Sequence, residues 1–283
     1  ARLTDMDNEA EFKALKNTIK EAGVKARKYF WEDNTANQQK TDKTVVTEVD
    51  KSIEAALVTY IKEHFPGDRI IGEEGEDIAG DSEYVWHIDP IDGTNNFLRK
   101  IPFCAISVAR LGPTDQDDGS WAIVYNPITE QMFWAQGNTG VYEGEHSHKL
   151  NEDFLGGGAL FSVQRGREEW MQSATYNIQK YFGTTYYKGA SFGSCALELA
   201  YVAANRIDGV LVFGLNSYDY AAGLFLIRAG GGKISIYEND KWQEYTGSIQ
   251  ELCSKTDATI FASHGGVHQE VCDAIGNPQS WAD

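Results

Sequence analysis

The chain has 283 residues, 42% hydrophobic and 24% charged, the composition of a globular protein long enough to bury a large core. Its formal net charge of -17 excludes the basic stripes that nucleic acid and anionic membranes require, so neither is expected as a partner. Cys104, Cys195, Cys253 and Cys272 form no CxxC pair, which excludes a zinc ribbon or redox motif, and with no apolar leader or spanning run the expected location is cytoplasmic.

Along the chain, Phe12, Leu15, Ile19, Ala22, Ala26 and Phe30 recur at three- and four-residue steps, predicting an amphipathic helix over 9–30. Glu32 to Lys43 is polar and aperiodic and reads as a mobile loop. Thr47-Glu48-Val49-Asp50 has the form of a capping box and predicts the start of a second helix that buries Ile53, Leu57, Tyr60 and Ile61. Closely spaced strands follow over 69–74, 84–89, 104–111, 121–126, 131–136 and 140–143, a spacing that predicts an antiparallel sheet with hairpins. A polar, turn-like stretch, 143–151, separates this half from a second of different style. There, helices are predicted over 168–182, 194–204 and 219–229, and strands over 209–213, 233–237 and 259–263. Gly156-Gly157-Gly158 reads as a connection, and His146 and His148 as a solvated turn. His264 and His268 are four apart, but Gly265-Gly266 between them weakens a helical ligand pair. The layout is layered helices and sheets with acidic strand ends converging.

The chemistry concentrates in Trp86-His87-Ile88-Asp89-Pro90-Ile91-Asp92-Gly93-Thr94-Asn95-Asn96-Phe97. An apolar run ends in two aspartates and two turn signals, delivering carboxylates to the C-terminal end of a strand, where α/β proteins place ligands. Gly93 permits a tight turn, and the amides after it can face an anion. Carboxylates beside such amides make sense when a divalent cation bridges them to a phosphate. Glu73-Glu74 ends another strand shortly before, and Asp219 opens a later helix, where an N-cap is the simpler use for it. Two familiar motifs fail on spacing. The twelfth position of an EF-hand counted from Asp89 is Lys100, not a glutamate, and the nucleophile position of a haloacid-dehalogenase-type phosphatase is Pro90.

These segments closely resemble the inositol monophosphatase family of magnesium-dependent, lithium-sensitive phosphatases. The resemblance is carried by Gly72-Glu73-Glu74, by Asp89-Pro90-Ile91-Asp92-Gly93-Thr94 with Asn95-Asn96-Phe97, by Asp219-Tyr220-Ala221-Ala222-Gly223, and upstream by Lys40-x-Asp42 with Val46-Thr47-x-x-Asp50. It spans roughly residues 10–265 and implies an α/β fold, a layered αβαβα sandwich with an N-terminal antiparallel sheet half and a smaller C-terminal α/β half. It implies that Glu73, Asp89 and the Ile91 carbonyl hold one Mg2+, that Asp89, Asp92 and Asp219 hold a second, and that a third, weaker ion sits near Glu73. Glu73 and Thr94 would orient and activate the attacking water, Asp50 would fix the Thr94 hydroxyl, and the Gly93 and Thr94 amides would cradle phosphate, with Lys40 reaching it from the loop. On this reading residues 1–148 carry most metal ligands, and residues 149–283 carry Asp219 and the substrate pocket. The expected protein is a homodimeric phosphoric monoester hydrolase acting on a small phosphorylated metabolite, by in-line attack of metal-activated water and without a phosphoenzyme.

Substrate choice is less constrained. Seven places before Asp219, where relatives acting on inositol phosphate carry an acidic residue for the ring hydroxyls, stands Val212, and Tyr218 replaces a frequent tryptophan. A valine accepts no hydroxyl. Ser194, Cys195 and Val212 are expected to touch the substrate, within walls formed by 191–195 and 212–217. An inositol 1-phosphate-type polyol or sugar phosphate is the expected substrate. Fructose 1,6-bisphosphate, histidinol phosphate, 3′-phosphoadenosine phosphate and NADP are alternatives, and a non-catalytic regulatory protein on the same scaffold is the rival of another class.

Overall fold

The computed structural model describes residues 5–32, 41–75, 77–150, 158–166, 168–184 and 188–282. Helix α1 (Asp5–Trp31) buries Phe12, Leu15, Ile19, Ala22, Ala26 and Phe30, as the spacing predicts. Helix α2 (Thr41–His64) buries Ile53, Leu57, Tyr60 and Ile61 but starts at Thr41, so the box at Thr47 lies inside it and 41–43 are not loop. The remainder of the predicted loop, 33–40, lies outside the described residues, as does Lys40.

The first sheet runs in sequence order: β1 (Arg69–Gly72), β2 (Val85–Asp92), β3 (Ala105–Leu111), β4 (Trp121–Asn126), β5 (Gln131–Gln136), β6 (Val141–Glu143) and β7 (His146–His148). It is antiparallel except that β1 runs parallel to β2. His146 and His148 are therefore strand, not turn; the turn is Gly144-Glu145, with Gly144 at φ 58°. One face, with Trp86, Ile88, Ile106, Val108, Trp121 and Ile123, packs under α1 and α2. Burying each such side chain contributes about 1.5–3 kcal/mol.

The other face is alanine-rich at its centre, with Ala105, Ala109, Ala122 and Ala135 beside Val124, and larger toward one side with Leu111, Phe133 and Val141. Its alternation with the bulky face is the period-2 pattern of strands. Against this face packs a helical layer, α5 (Cys195–Ala203) and α6 (Ser217–Ala229), the two helices so close that a Cβ on Gly223 would stand 2.4 Å from that of Leu199. Below lies the second sheet: β8 (Leu160–Arg165), β9 (Lys188–Ala190), β10 (Gly209–Phe213), β11 (Lys233–Glu238), β12 (Lys241–Glu244) and β13 (Thr259–Ser263), ordered β12-β11-β13-β10-β8-β9. Val210 and Val212 of β10 face the helical layer, whereas Leu211 and Phe213 face an outer layer of α4 (Glu169–Thr184) and α8 (His268–Ile275). The order of layers is αβαβα. A five-residue α3 (Thr94–Leu98) follows β2, and α7 (Ile249–Cys253) packs on α6. No helix among the described residues is long and apolar enough to cross a membrane.

Candidate active site

Two features of backbone pairing assemble the acidic cluster. Strands β1 and β2 are parallel with Gly72 opposite Ile88, so Glu73, just past the end of β1, comes beside Asp89 within β2; the Glu73 amide donates to the Ile88 carbonyl at 3.2 Å. Asp89 and Asp92, three apart, would point to opposite faces of a regular strand. A bulge prevents this: Asp89 pairs with Ser107 but Asp92 with Ala105, three residues on β2 spanning two on β3. Pro90, which has no amide to lose from a ladder, sits in the bulge. Asp219 arrives from the first turn of α6, and one oxygen from each of Asp89, Asp92 and Asp219 lies within 4.8 Å of the others.

Each carboxylate is held. Asp89 Oδ1 accepts the Ile91 amide at 3.0 Å. Asp92 Oδ2 accepts the Ser194 hydroxyl at 2.6 Å and the Ala196 amide at 2.7 Å, so the start of α5 in the second half points at an aspartate of the first. Asp219 Oδ2 accepts the Asn216 amide at 2.8 Å, which makes it a helix cap as well as a member of the cluster. Helix α6 is docked on the sheet by Ser217, whose hydroxyl meets His87 Nδ1 at 2.9 Å. Gly93, at φ 90°, turns the chain into α3, and a Cβ there would stand 3.0 Å from the Gly193 carbonyl and 3.1 Å from that of Phe103. Helix-first amides have no intrahelical acceptor. Those of Gly93 and Thr94 lie at such a position, beside the carboxylates.

Burial, then the Asp92 charge, holds Asp89 well above the ordinary carboxylate range. Burial pushes Asp92 up to about 6 against the pull of its Ser194, Ala196 and Cys195 donors. It pushes Asp219 up to about 8, with Asp92 the next cause. Asp50 is pushed up to about 7 by burial and by Glu74, Glu73 and Glu54, and its Oδ1 is buried without a hydrogen-bond partner. Crowded carboxylates repel by kcal-scale amounts in a partly desolvated site, and a divalent cation removes that cost. The donors are carboxylate oxygens, hard ligands suited to Mg2+ rather than to a thiolate-seeking metal.

The model of the inositol monophosphatase family matches residues 7–275. The chain belongs to that family. Nus factor SuhB of Salmonella typhimurium (strain LT2) is 35% identical over 275 residues, 93% of this chain and 97% of the relative. Inositol-1-monophosphatase of Bacillus subtilis (strain 168) is 33% identical over 236 residues, 80% and 84% of the two chains. Among solved structures, inositol monophosphatase II from Staphylococcus aureus MSSA476 superposes with a TM-score of 0.73 at 25% identity, covering 95% of this chain and 96% of that one. Extragenic suppressor protein suhB from Bartonella henselae gives 0.72 at 25% identity, covering 94% and 99%.

The hydrogen bonds and burial of the other expected site residues add detail to this picture. Thr94 Oγ1 donates to the Ile91 carbonyl at 3.1 Å and not to Asp50, so both the hydroxyl and the carbonyl expected at the site are already joined to each other. Val212 is fully buried, packed into the core formed with α5 and α6. Cys195 and Ser194 are buried too, Ser194 serving Asp92 and the α5 amide of Leu197. Sequence alone gives His87, Glu54 and Asn96 no role, and places Ser217 in a pocket wall rather than as the partner of His87. His87 carried a signal, since it is two residues before Asp89 and so shares its face. Glu54 Oε2 accepts the Glu74 amide at 2.9 Å, and Cβ atoms on Gly72 and Gly75 would stand 2.8 and 2.7 Å from its carboxylate. The glycines bracketing Glu73-Glu74 are there to admit it. Asn96 Nδ2 donates to the Phe103 and Phe192 carbonyls at 2.8 and 2.6 Å, tying α3 to the segment before α5.

Proposed function

We propose that the chain is a Mg2+-dependent phosphomonoesterase for a small polyol or sugar phosphate of the inositol 1-phosphate type. The observation that carries this reading is the convergence of Asp89, Asp92 and Asp219 within 4.8 Å, next to the positive-φ turn at Gly93. Asp89, Asp92 and Asp219 would hold one Mg2+, and Glu73, Asp89 and the Ile91 carbonyl another. Bound there, magnesium supplies the positive charge that draws in a phosphate ester and makes water acidic enough to ionise near neutral pH. The residues do the rest. The Gly93 and Thr94 amides orient the phosphate oxygens, Glu73 takes up the proton of the attacking water, and Thr94 aligns that water for in-line displacement. In a chain of net charge -17, a phosphate is otherwise repelled, so loading of the cluster also sets access. The family homodimer and lithium sensitivity are part of the same reading.

The test is release of inorganic phosphate from inositol 1-phosphate, fructose 1,6-bisphosphate, histidinol phosphate and 3′-phosphoadenosine phosphate, with and without Mg2+. Turnover of at least one ester that EDTA abolishes supports the proposal. A second reading, a regulatory protein acting through a partner, is favoured by the relatives named Nus factor SuhB and by the buried Val212 in place of an acid. No turnover on any ester, together with capture of a specific partner, decides for it.

A further inference from the structure

Glu198 lies in the first turn of α5 and is fully buried, an expensive place for a carboxylate. Its Oε1 accepts the Phe192 amide at 2.7 Å, the Gly193 amide at 3.0 Å and Gln164 Nε2 at 2.7 Å, while Oε2 accepts the Ser162 hydroxyl. Two of these donors are consecutive amides of the segment 191–194, which leads into the Ser194 cap. That segment reaches the acidic cluster directly. Ser194 donates to Asp92, and the Gly193 carbonyl lies where it would be 3.0 Å from a Cβ on Gly93. From the opposite side, Asn96 of α3 donates to the Phe192 carbonyl. The segment is thus gripped by Glu198 from the second half of the chain and by Asn96 from the first, with Asp92 at its end.

We propose that Glu198 is a positioning residue: by fixing the Phe192 and Gly193 amides it sets Ser194 and the first amides of α5 on Asp92, and so sets how tightly the acidic cluster takes up a divalent cation. This rests on the reading of the cluster as a Mg2+ site. Glu198 touches neither cation nor substrate. Groups that orient metal ligands in this way alter metal affinity by about 10- to 100-fold when removed.

The test is the Mg2+ concentration that gives half of the Mg2+-induced rise in Tm of the full chain. Glu198→Ala is expected to raise this midpoint about tenfold. Glu198→Gln is expected to restore it to within about twofold, since an amide oxygen still accepts both backbone amides and its NH2 can donate to Ser162, whose hydroxyl lies 3.3 Å from the Ala190 carbonyl. A folded Glu198→Ala protein with lowered Tm but an unchanged midpoint overturns the proposal, leaving Glu198 a purely structural residue. If that variant does not fold, Glu198→Asp is read instead; being one methylene shorter it withdraws the acceptor while keeping the charge, and an unchanged midpoint there overturns the proposal as well. Absence of any Mg2+-induced rise in the unaltered chain would instead overturn the reading of the cluster itself.

Discussion

Asp219 accepts the Asn216 amide at 2.8 Å while an oxygen of the same carboxylate stands with those of Asp89 and Asp92. The helix-cap and ligand readings of this residue are therefore compatible, and a substitution can separate them. Asp219→Asn keeps an acceptor for the cap but removes the carboxylate that burial and Asp92 disfavour, so in metal-free protein near neutral pH stability by urea unfolding should rise, not fall. Phosphatase activity in the same variant should fall by about two orders of magnitude or more. At Gly93, an added Cβ meets two carbonyl oxygens, and φ is 90°. Gly93→Ala should lower unfolding stability by about 1–3 kcal/mol. Asp89 and Asp92 were legible in the sequence because Asp-Pro and Asp-Gly end an apolar run, whereas Asp219 stood out only through the family resemblance. The surroundings of Val212 were not, since a valine in an apolar strand has the same appearance whether the strand end opens on a pocket or stays beneath the helical layer.

At the scale of elements, the strands with clean alternation or long apolar runs were predicted within a residue or two, among them β4, β5, β10 and β13. Elements without such a pattern escaped: β8, where Ser162, Gln164 and Arg165 interrupt the run, and the short β9, β12 and α7. Helix α8 was obscured by the glycines before it; His264 bonds Asp208 at 2.9 Å, and His268 lies between Ser263 and Ser235, so the two histidines serve different structural bonds. The parallel pairing of β1 with β2 was also beyond the sequence, because hairpin spacing speaks only of neighbours joined by turns. That pairing and the β2 bulge place Glu73 and Asp92 beside Asp89. Asn96 links the elements on either side of the cluster, so Asn96→Ala should cost about 1–2 kcal/mol and speed amide exchange in 191–194, measured by hydrogen exchange.

For the whole molecule, the cluster predicts how stability responds to pH and metal. Asp92, Asp50 and Asp219 are pushed up to about 6, about 7 and about 8, from an ordinary 3.8. Between those limits the native chain binds more protons than the unfolded one, so this contribution to stability is lost as pH rises. Calorimetry of metal-free protein should show Tm falling between about pH 5 and about pH 8, and saturating Mg2+ should raise Tm more at the upper end, where the carboxylates need no proton displaced. A metal-free Tm that climbs across this window would place the stabilising charges elsewhere.

The central claim is that these gathered carboxylates hold magnesium in order to hydrolyse a phosphate ester. Its most direct measurement is the initial rate of phosphate release at saturating Mg2+ by the unaltered chain and by Asp92→Asn, on the ester the chain turns over best. A rate lowered by about a hundredfold or more in a folded variant is the predicted result. Near-equal rates for the two proteins would contradict it.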